Sequence, residues 1–304
     1  MRSTRAISRN VGRLRAAALL GASALLLAVA VGCGSGASAP STPTSTATSA
    51  PNPSPTVVAP TAQSTIPATS TLSVIGVPGD GGEAAGIAIA HAYLSASDTP
   101  ILTVNGTKVS ARDFAVMKQI VKTNIARMQQ LAQRITPDDP SAAVVVPRLQ
   151  LMQGAKVGDI ALGGLISREA LYQEAERQGL APSAAEISAY VEQQRKLTNQ
   201  AGAGTTPHGI EQVLGDTYWT TYLPHQARYV LAEENLQQKQ GQDLQHTIQS
   251  GLGLRFKQAW AQMEGDLVRA AKVKMLDPQV LGTATVEGAK AYVDKALQLT
   301  AAGS

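Results

Sequence analysis

A chain of 304 residues is long enough to bury a sizeable core, and its formal charge of +4 first suggests an acidic partner. The surplus is local: Arg2, Arg5, Arg9, Arg13 and Arg15 lie in the first 32 residues, which hold no acid, and without them 21 basic side chains face 22 acidic ones, a net of −1. The remainder is near neutral, carries no phosphate-seeking surface by composition, and excludes nucleic acid as an expected partner.

Those arginines precede an uncharged apolar run from Ala16 to Gly32, which ends Ala30-Val31-Gly32-Cys33. A positive start, an apolar stretch and a small residue at its end make an export signal over residues 1–32. Cys33, the one cysteine of the chain, stands where a lipoprotein accepts its lipid, with Ala30 in place of leucine three residues before it. The other reading of the run is a plain transmembrane anchor, since its length approaches the ~20 residues needed to span a bilayer. On both readings the folded part is extracytoplasmic and tethered to a membrane. A single cysteine leaves no disulfide framework within the chain.

Residues 33–100 are Ser, Thr, Ala, Pro and Gly for the most part, with no charged side chain before Asp80. That composition cannot offset the entropy of ordering, so a disordered tether is expected. As a flexible coil of ~65 residues it would span roughly 45 Å. A short helical patch at 83–94 either packs on the domain or belongs to the tether. His91 within it is incidental rather than a ligand.

Order is expected from Ile101. The segment Ile101–Ser110 reads as two short strands around Asn105-Gly106, a dipeptide suited to a two-residue hairpin turn. Ser110 caps the next helix with Asp113 three residues on, and Val109 and Phe114 are placed as a hydrophobic staple. Phe114, Met117, Val121, Ile125, Met128 and Ala132 then step by three or four residues, predicting a long amphipathic helix that ends before Thr136-Pro137. Asp138 to Val146 reads as a loop, with Asp138 and Asp139 a solvated tip rather than a general-acid pair. Helix resumes near Arg148, with a break at 154–158.

Residues 159–196 read as two helices joined by a tight corner. Ile166, Ala170, Leu171 and Ala175 recur at helical spacing, with Arg168, Glu169, Glu174, Glu176 and Arg177 opposite. Gly179 suits a left-handed C-terminal cap and Leu180 can fold back on the last turn. Ser183 with Glu186 forms a second capping box, followed by Ile187, Tyr190 and Val191 as a buried stripe. Beyond the loop after Lys196, Thr206 and Pro207 open a short helix that Gly215 stops, and Asp216 is placed to cap the next. That next helix carries Tyr218, Trp219, Tyr222, Leu223, Tyr229, Val230, Leu231 and Leu236, with Pro224 expected to kink or restart it. A polar connector spans Gln237–Gly253. Leu254–Ala270 is the last core helix, with Phe256, Ala259, Trp260, Met263 and Leu267 on one face. Ala271-Lys272-Val273-Lys274-Met275 alternates as a strand that Leu276-Asp277-Pro278 ends, and a short amphipathic helix follows over Val286–Leu299.

Four of these parts in this order resemble the N-terminal domain of SurA-like and PrsA-like extracytoplasmic chaperones. They are Val104-Asn105-Gly106 leading through Val109-Ser110 to Asp113-Phe114; the Gly179-Leu180…Ser183…Glu186-Ile187 corner; the short helix before the long aromatic one; and the closing AKVKMLDP at 271–278. The resemblance implies a mainly α fold over residues 101–278, with a small β-patch made by the Asn-Gly hairpin and the late strand, and Val104 near Val273. Residues 279–304 form a C-terminal extension. Relatives carry a parvulin-type prolyl isomerase module near the Gln237–Gly253 junction. Here only a short connector stands there, and His208, His225 and His246 have no catalytic or ligand spacing. Gly163-Gly164, although similar to a parvulin Gly-Gly, lies inside the helix corner.

The resemblance implies a membrane-anchored, chaperone-like protein that binds unfolded or partly folded exported polypeptides without ATP. A foldase or an envelope scaffold for one partner are the alternatives. No catalytic residues, metal ligands or cofactor are expected, since no Gly-rich phosphate loop, metal cluster or nucleophile motif occurs. The aromatic residues have two readings: core packing, or a groove for unfolded peptide lined by Tyr218, Trp219, Tyr222, Trp260 and Met263.

Overall fold

The computed structural model describes residues 82–302, apart from 137, 140, 202–205 and 246–251. The expected export signal, Cys33 and the tether as far as residue 81 lie outside the described residues. Helix α1 spans Gly82–Ser95, then strands β1 (Pro100–Val104) and β2 (Thr107–Ser110) lead into α2 (Ala111–Ala132) and α3 (Ala142–Gly154). After these come α4 (Val157–Arg177), α5 (Ala184–Ala201), α6 (Thr206–Leu214), a π-turn (Tyr218–Tyr222) and α7 (Leu223–Gln245). The chain closes with α8 (Leu252–Ala270), β3 (Val273–Met275), the short α9 (Pro278–Leu281) and α10 (Val286–Ala301). This is the mainly α fold with a three-stranded antiparallel patch that the sequence implied.

Helix α4 is the axis. Its first half is apolar on every side, so it can be satisfied only in the interior. Ile160, Ala161, Leu162, Leu165 and Ile166 are all buried. Helices α2, α7, α8 and α10 pack around it, and β1 touches it. At its far end Gly179 takes a positive φ of 69°. Leu180 N–H donates to the Ala175 carbonyl at 2.7 Å and Gly179 N–H to that of Glu176 at 3.0 Å, the paired bonds of a Schellman cap. Ser183 and Glu186 then exchange their capping-box bonds as expected, Ser183 N–H donating to Glu186 Oε2 at 2.8 Å.

The sheet order is β2-β1-β3, with Val104 opposite both Thr107 and Val273. Asn105 and Gly106 both have positive φ, 50° and 95°, which a two-residue turn of this hand requires. Asn105 also fastens the patch. Its Oδ1 accepts Lys272 N–H at 2.8 Å, and its Nδ2 donates to Gln173 Oε1 on α4 at 2.8 Å. Ser110 and Asp113 form the expected capping box, over buried Val109 and Phe114.

Several expected boundaries are corrected. The tether does not run to residue 100, because α1 buries Gly86, Ile89 and Ala90 against α2 and α6. The loop assigned to 138–146 is helical from Ala142, with Pro147 inside α3. The polar connector is helical as far as Gln245, since Gln237 donates to Glu233 at 3.0 Å and Lys239 pairs with Asp243 one turn apart. Asp216 does not cap the segment after it by its side chain: Tyr218 N–H goes to the Gly215 carbonyl at 3.0 Å. Pro224 does restart the helix, by way of the π-turn, in which Leu223 N–H donates to the Tyr218 carbonyl.

The last core helix is α10 rather than α8. Ala289, Tyr292, Val293 and Leu297 are buried, and α10 packs on α3, α4 and α8. Close approach is possible because α4 has glycine where the helices cross: a Cβ on Gly163 would lie 2.9 Å from both the Ala289 carbonyl oxygen and Val293 Cγ2. The C-terminal extension is therefore part of the core.

Candidate functional site

The aromatic cluster resolves in favour of packing. Tyr218, Trp219, Tyr222 and Trp260 are 4%, 6%, 5% and 0% exposed, so they present no open groove, and Met263 is partly buried against the same core. Tyr218 meets Trp219 edge-on at 4.7 Å and Tyr222 in a stack at 5.8 Å, while Phe256 stacks on Trp260 at 6.4 Å. Both indoles have acceptors: Trp219 Nε1 donates to Glu211 Oε1 at 2.8 Å, and Trp260 Nε1 to Glu264 Oε2 at 3.1 Å. Burial pushes the Tyr218 and Tyr222 phenols well above their usual range. Cys33, the expected lipid acceptor, lies outside the described residues.

Two polar clusters were not foreseen. Asp113, beyond its capping role, joins α2 to α4 and α7. His225 Nε2 lies 2.8 Å from Asp113 Oδ1, and Arg168 Nη2 approaches the same oxygen at 3.5 Å. An ionised carboxylate can only accept, so the imidazole proton sits on Nε2. Burial alone would raise the Asp113 pKa, but the His225 hydrogen bond and the Arg168 charge outweigh it and hold the group well below the usual carboxylate range. Arg168 also lies over the Tyr229 ring at 4.1 Å, and Tyr229 donates to Glu169 at 3.1 Å. The second cluster is wholly internal: Ser167 Oγ donates to Glu264 Oε1 at 2.6 Å. Asp113 was legible as a cap, but its partners are 55 and 112 positions away and no local pattern announces them.

The hollow found at the hairpin turn is lined by neither cluster. Asp138 is exposed and Asp139 half-exposed at a loop tip, where Asp139 Oδ1 accepts Ser141 N–H at 2.8 Å. Among the described residues no group of three or more His, Cys, Asp or Glu could hold a metal, and no helix is long and apolar enough to cross a membrane.

What the molecule offers a partner is surface. Exposed apolar side chains lie along α2 and α3 (Leu131, Val144, Val146) and after β3 (Met275, Leu276, Val280). A shallow hollow of ≈ 460 Å³ lies at the turn and the β3 edge, lined by Thr103, Asn105, Lys272 and Lys274 among others.

The described residues thus form a helical shell around one buried axis, closed by a hairpin and a returning strand. Residues 85–214 match the family model of the SurA-like N-terminal domain, a likeness that suggests a relation to a chaperone family. The match begins inside α1 and ends with α6, and no parvulin-type catalytic domain is matched beside it. No curated protein and no solved structure matches the chain.

Proposed function

We propose that this protein is an extracytoplasmic, ATP-independent chaperone that holds unfolded or partly folded exported polypeptides, anchored to the membrane through lipid on Cys33. The observation that carries the reading is the SurA-like N-terminal domain, found here without the isomerase module of its relatives. Physical support comes from the surface: exposed apolar side chains together with a hollow bearing Lys272 and Lys274 match the composition of a non-native chain rather than one shape, which favours weak binding of many sequences. The leader reads as an export signal and Cys33 follows it directly, which supports the location and the anchor.

The chain after Cys33 should suppress light scattering by a denatured client at a several-fold molar excess, with no nucleotide present. No suppression at that excess removes the reading. Metabolic labelling with palmitate should be lost in Cys33→Ser, and labelling that persists in that variant removes the anchor.

A further inference from the structure

Helix α1 meets its neighbours in an unusual way. The bonds that hold its C-terminal end come from Arg112, whose Nε lies 3.1 Å from the carbonyl oxygens of both Tyr93 and Ala96. Its N-terminal end lies backbone against backbone on α6: a Cβ placed on Gly209 would come within 2.3 Å of the Glu83 carbonyl oxygen. Both contacts engage main-chain atoms that any helix possesses. Side-chain anchoring is slight. Ile89 is the one large apolar residue of α1 that is fully buried, beside Ala90 and Gly86, while Leu94 is 57% exposed. Tyr93 meets Tyr222 edge-on at 5.3 Å and takes the Arg112 guanidinium over its ring at 4.7 Å. A 14-residue helix is marginal alone, so α1 persists because it is seated.

We propose that the trough between α2 and α6 is the client-binding site, and that α1 is its resident occupant, displaced by an apolar segment of an unfolded polypeptide that docks there as a helix. The proposal rests on the chaperone reading above. The seat is sequence-tolerant because it reads carbonyls and a close backbone approach. It is exchangeable because a competitor burying one more large side chain than Ile89 outcompetes α1. The preferred client is an apolar helical stretch with small residues where its backbone crosses Gly209, as in Glu83-Ala84-Ala85-Gly86.

The test uses the chain from Cys33 onward and a reduced, carboxymethylated polypeptide that stays unfolded. On adding it, hydrogen exchange should speed up in residues 82–95 and slow down in 206–214. Ile89→Ala loosens the occupant and leaves the seat intact, so it should tighten client binding by about tenfold, since apparent affinity scales with the fraction of sites left open. Adding Gly209→Ala to that variant places a methyl in the seat and should cancel the gain. Client binding with α1 exchange unchanged, or a double variant that binds as tightly as Ile89→Ala, overturns the inference and leaves the chaperone reading standing. Failure of the wild type and of Ile89→Ala alike to bind client overturns both.

Discussion

The carboxylate of Asp159, in the first turn of α4, accepts the backbone N–H of Thr285 at 2.8 Å. Thr285 is the N-cap of α10, and its own Oγ1 accepts Gly288 N–H at 3.0 Å. A capping box usually draws both halves from one helix, with an acid at the third position. Here that position is Gly288, and the acid is supplied from 126 positions away. Gly288 is needed for the substitution to work, since a Cβ there would lie 2.5 Å from Asp159 Oδ2. Asp159→Ala is therefore expected to cost about 1–2 kcal/mol, the usual worth of a cap, in urea unfolding followed by circular dichroism. Gly288→Ala should destabilise through the same contact, and the effects of the two substitutions should not add. Additive losses would mean that the two residues act separately.

Gly163 predicts a steric cost. Alanine is the better helix former, so Gly163→Ala on an exposed helix would stabilise by about 1 kcal/mol. At the α4–α10 crossing the new methyl meets a carbonyl and a valine methyl, both 2.9 Å away. The expected result is a loss of about 1–3 kcal/mol, with faster hydrogen exchange in α10. A stabilised Gly163→Ala would show that α10 sits further from α4 than described.

Asp113 predicts a pH dependence. Its folded pKa lies below the ordinary 3.8, so on acidification the unfolded chain takes up this proton first. The stabilisation is complete above the unfolded value and drains away as pH falls through 3.8 toward the lower folded value. Asp113→Asn should cost about 1–3 kcal/mol at neutral pH and flatten the fall in stability below about pH 4. A variant with an acid limb as steep as that of the wild type would exonerate this carboxylate.

Trp260 separates packing from binding. With 0% exposure, it should lose about 3–5 kcal/mol as Trp260→Ala. Ser167→Ala, which withdraws the donor to buried Glu264 at 2.6 Å, should cost about 1–3 kcal/mol. Client affinity measured on the folded fraction is expected to be unchanged in both. A Trp260 variant that keeps its stability and loses client would return the aromatic cluster to the binding surface.

The sequence was most readable where one residue decides a local geometry. Asn105-Gly106, the Gly179 cap and both serine capping boxes could be placed because each answers to neighbours within a few positions. The closure of Val104 against Val273 was also legible, through resemblance rather than through any local signal. What stayed hidden depends on distant partners. Helix α1 could be read either way, as tether or as part of the domain, because its small residues give it no clear apolar face; its seat against Gly209 and Arg112 is not visible locally. The stretches read as the 138–146 loop and the connector after Gln237 are helical from Ala142 and as far as Gln245. The seat of α10 needed Gly163 and Asp159 together, which no window on the chain contains.

The strand closure sets a limit on how the domain can assemble as it emerges from synthesis. Asn105 cannot complete its bonds until Lys272, 167 positions later, is available, and one side of α4 stays uncovered until Ala289 and Val293 arrive. Folding is therefore deferred to the last part of the chain, at the slow, high-contact-order end of the range for helical proteins. Until then one face of its most buried helix is open. A polypeptide built this way passes, while it is being made, through a state with exposed apolar surface that is prone to aggregate, and stalled or shortened copies should be the least soluble.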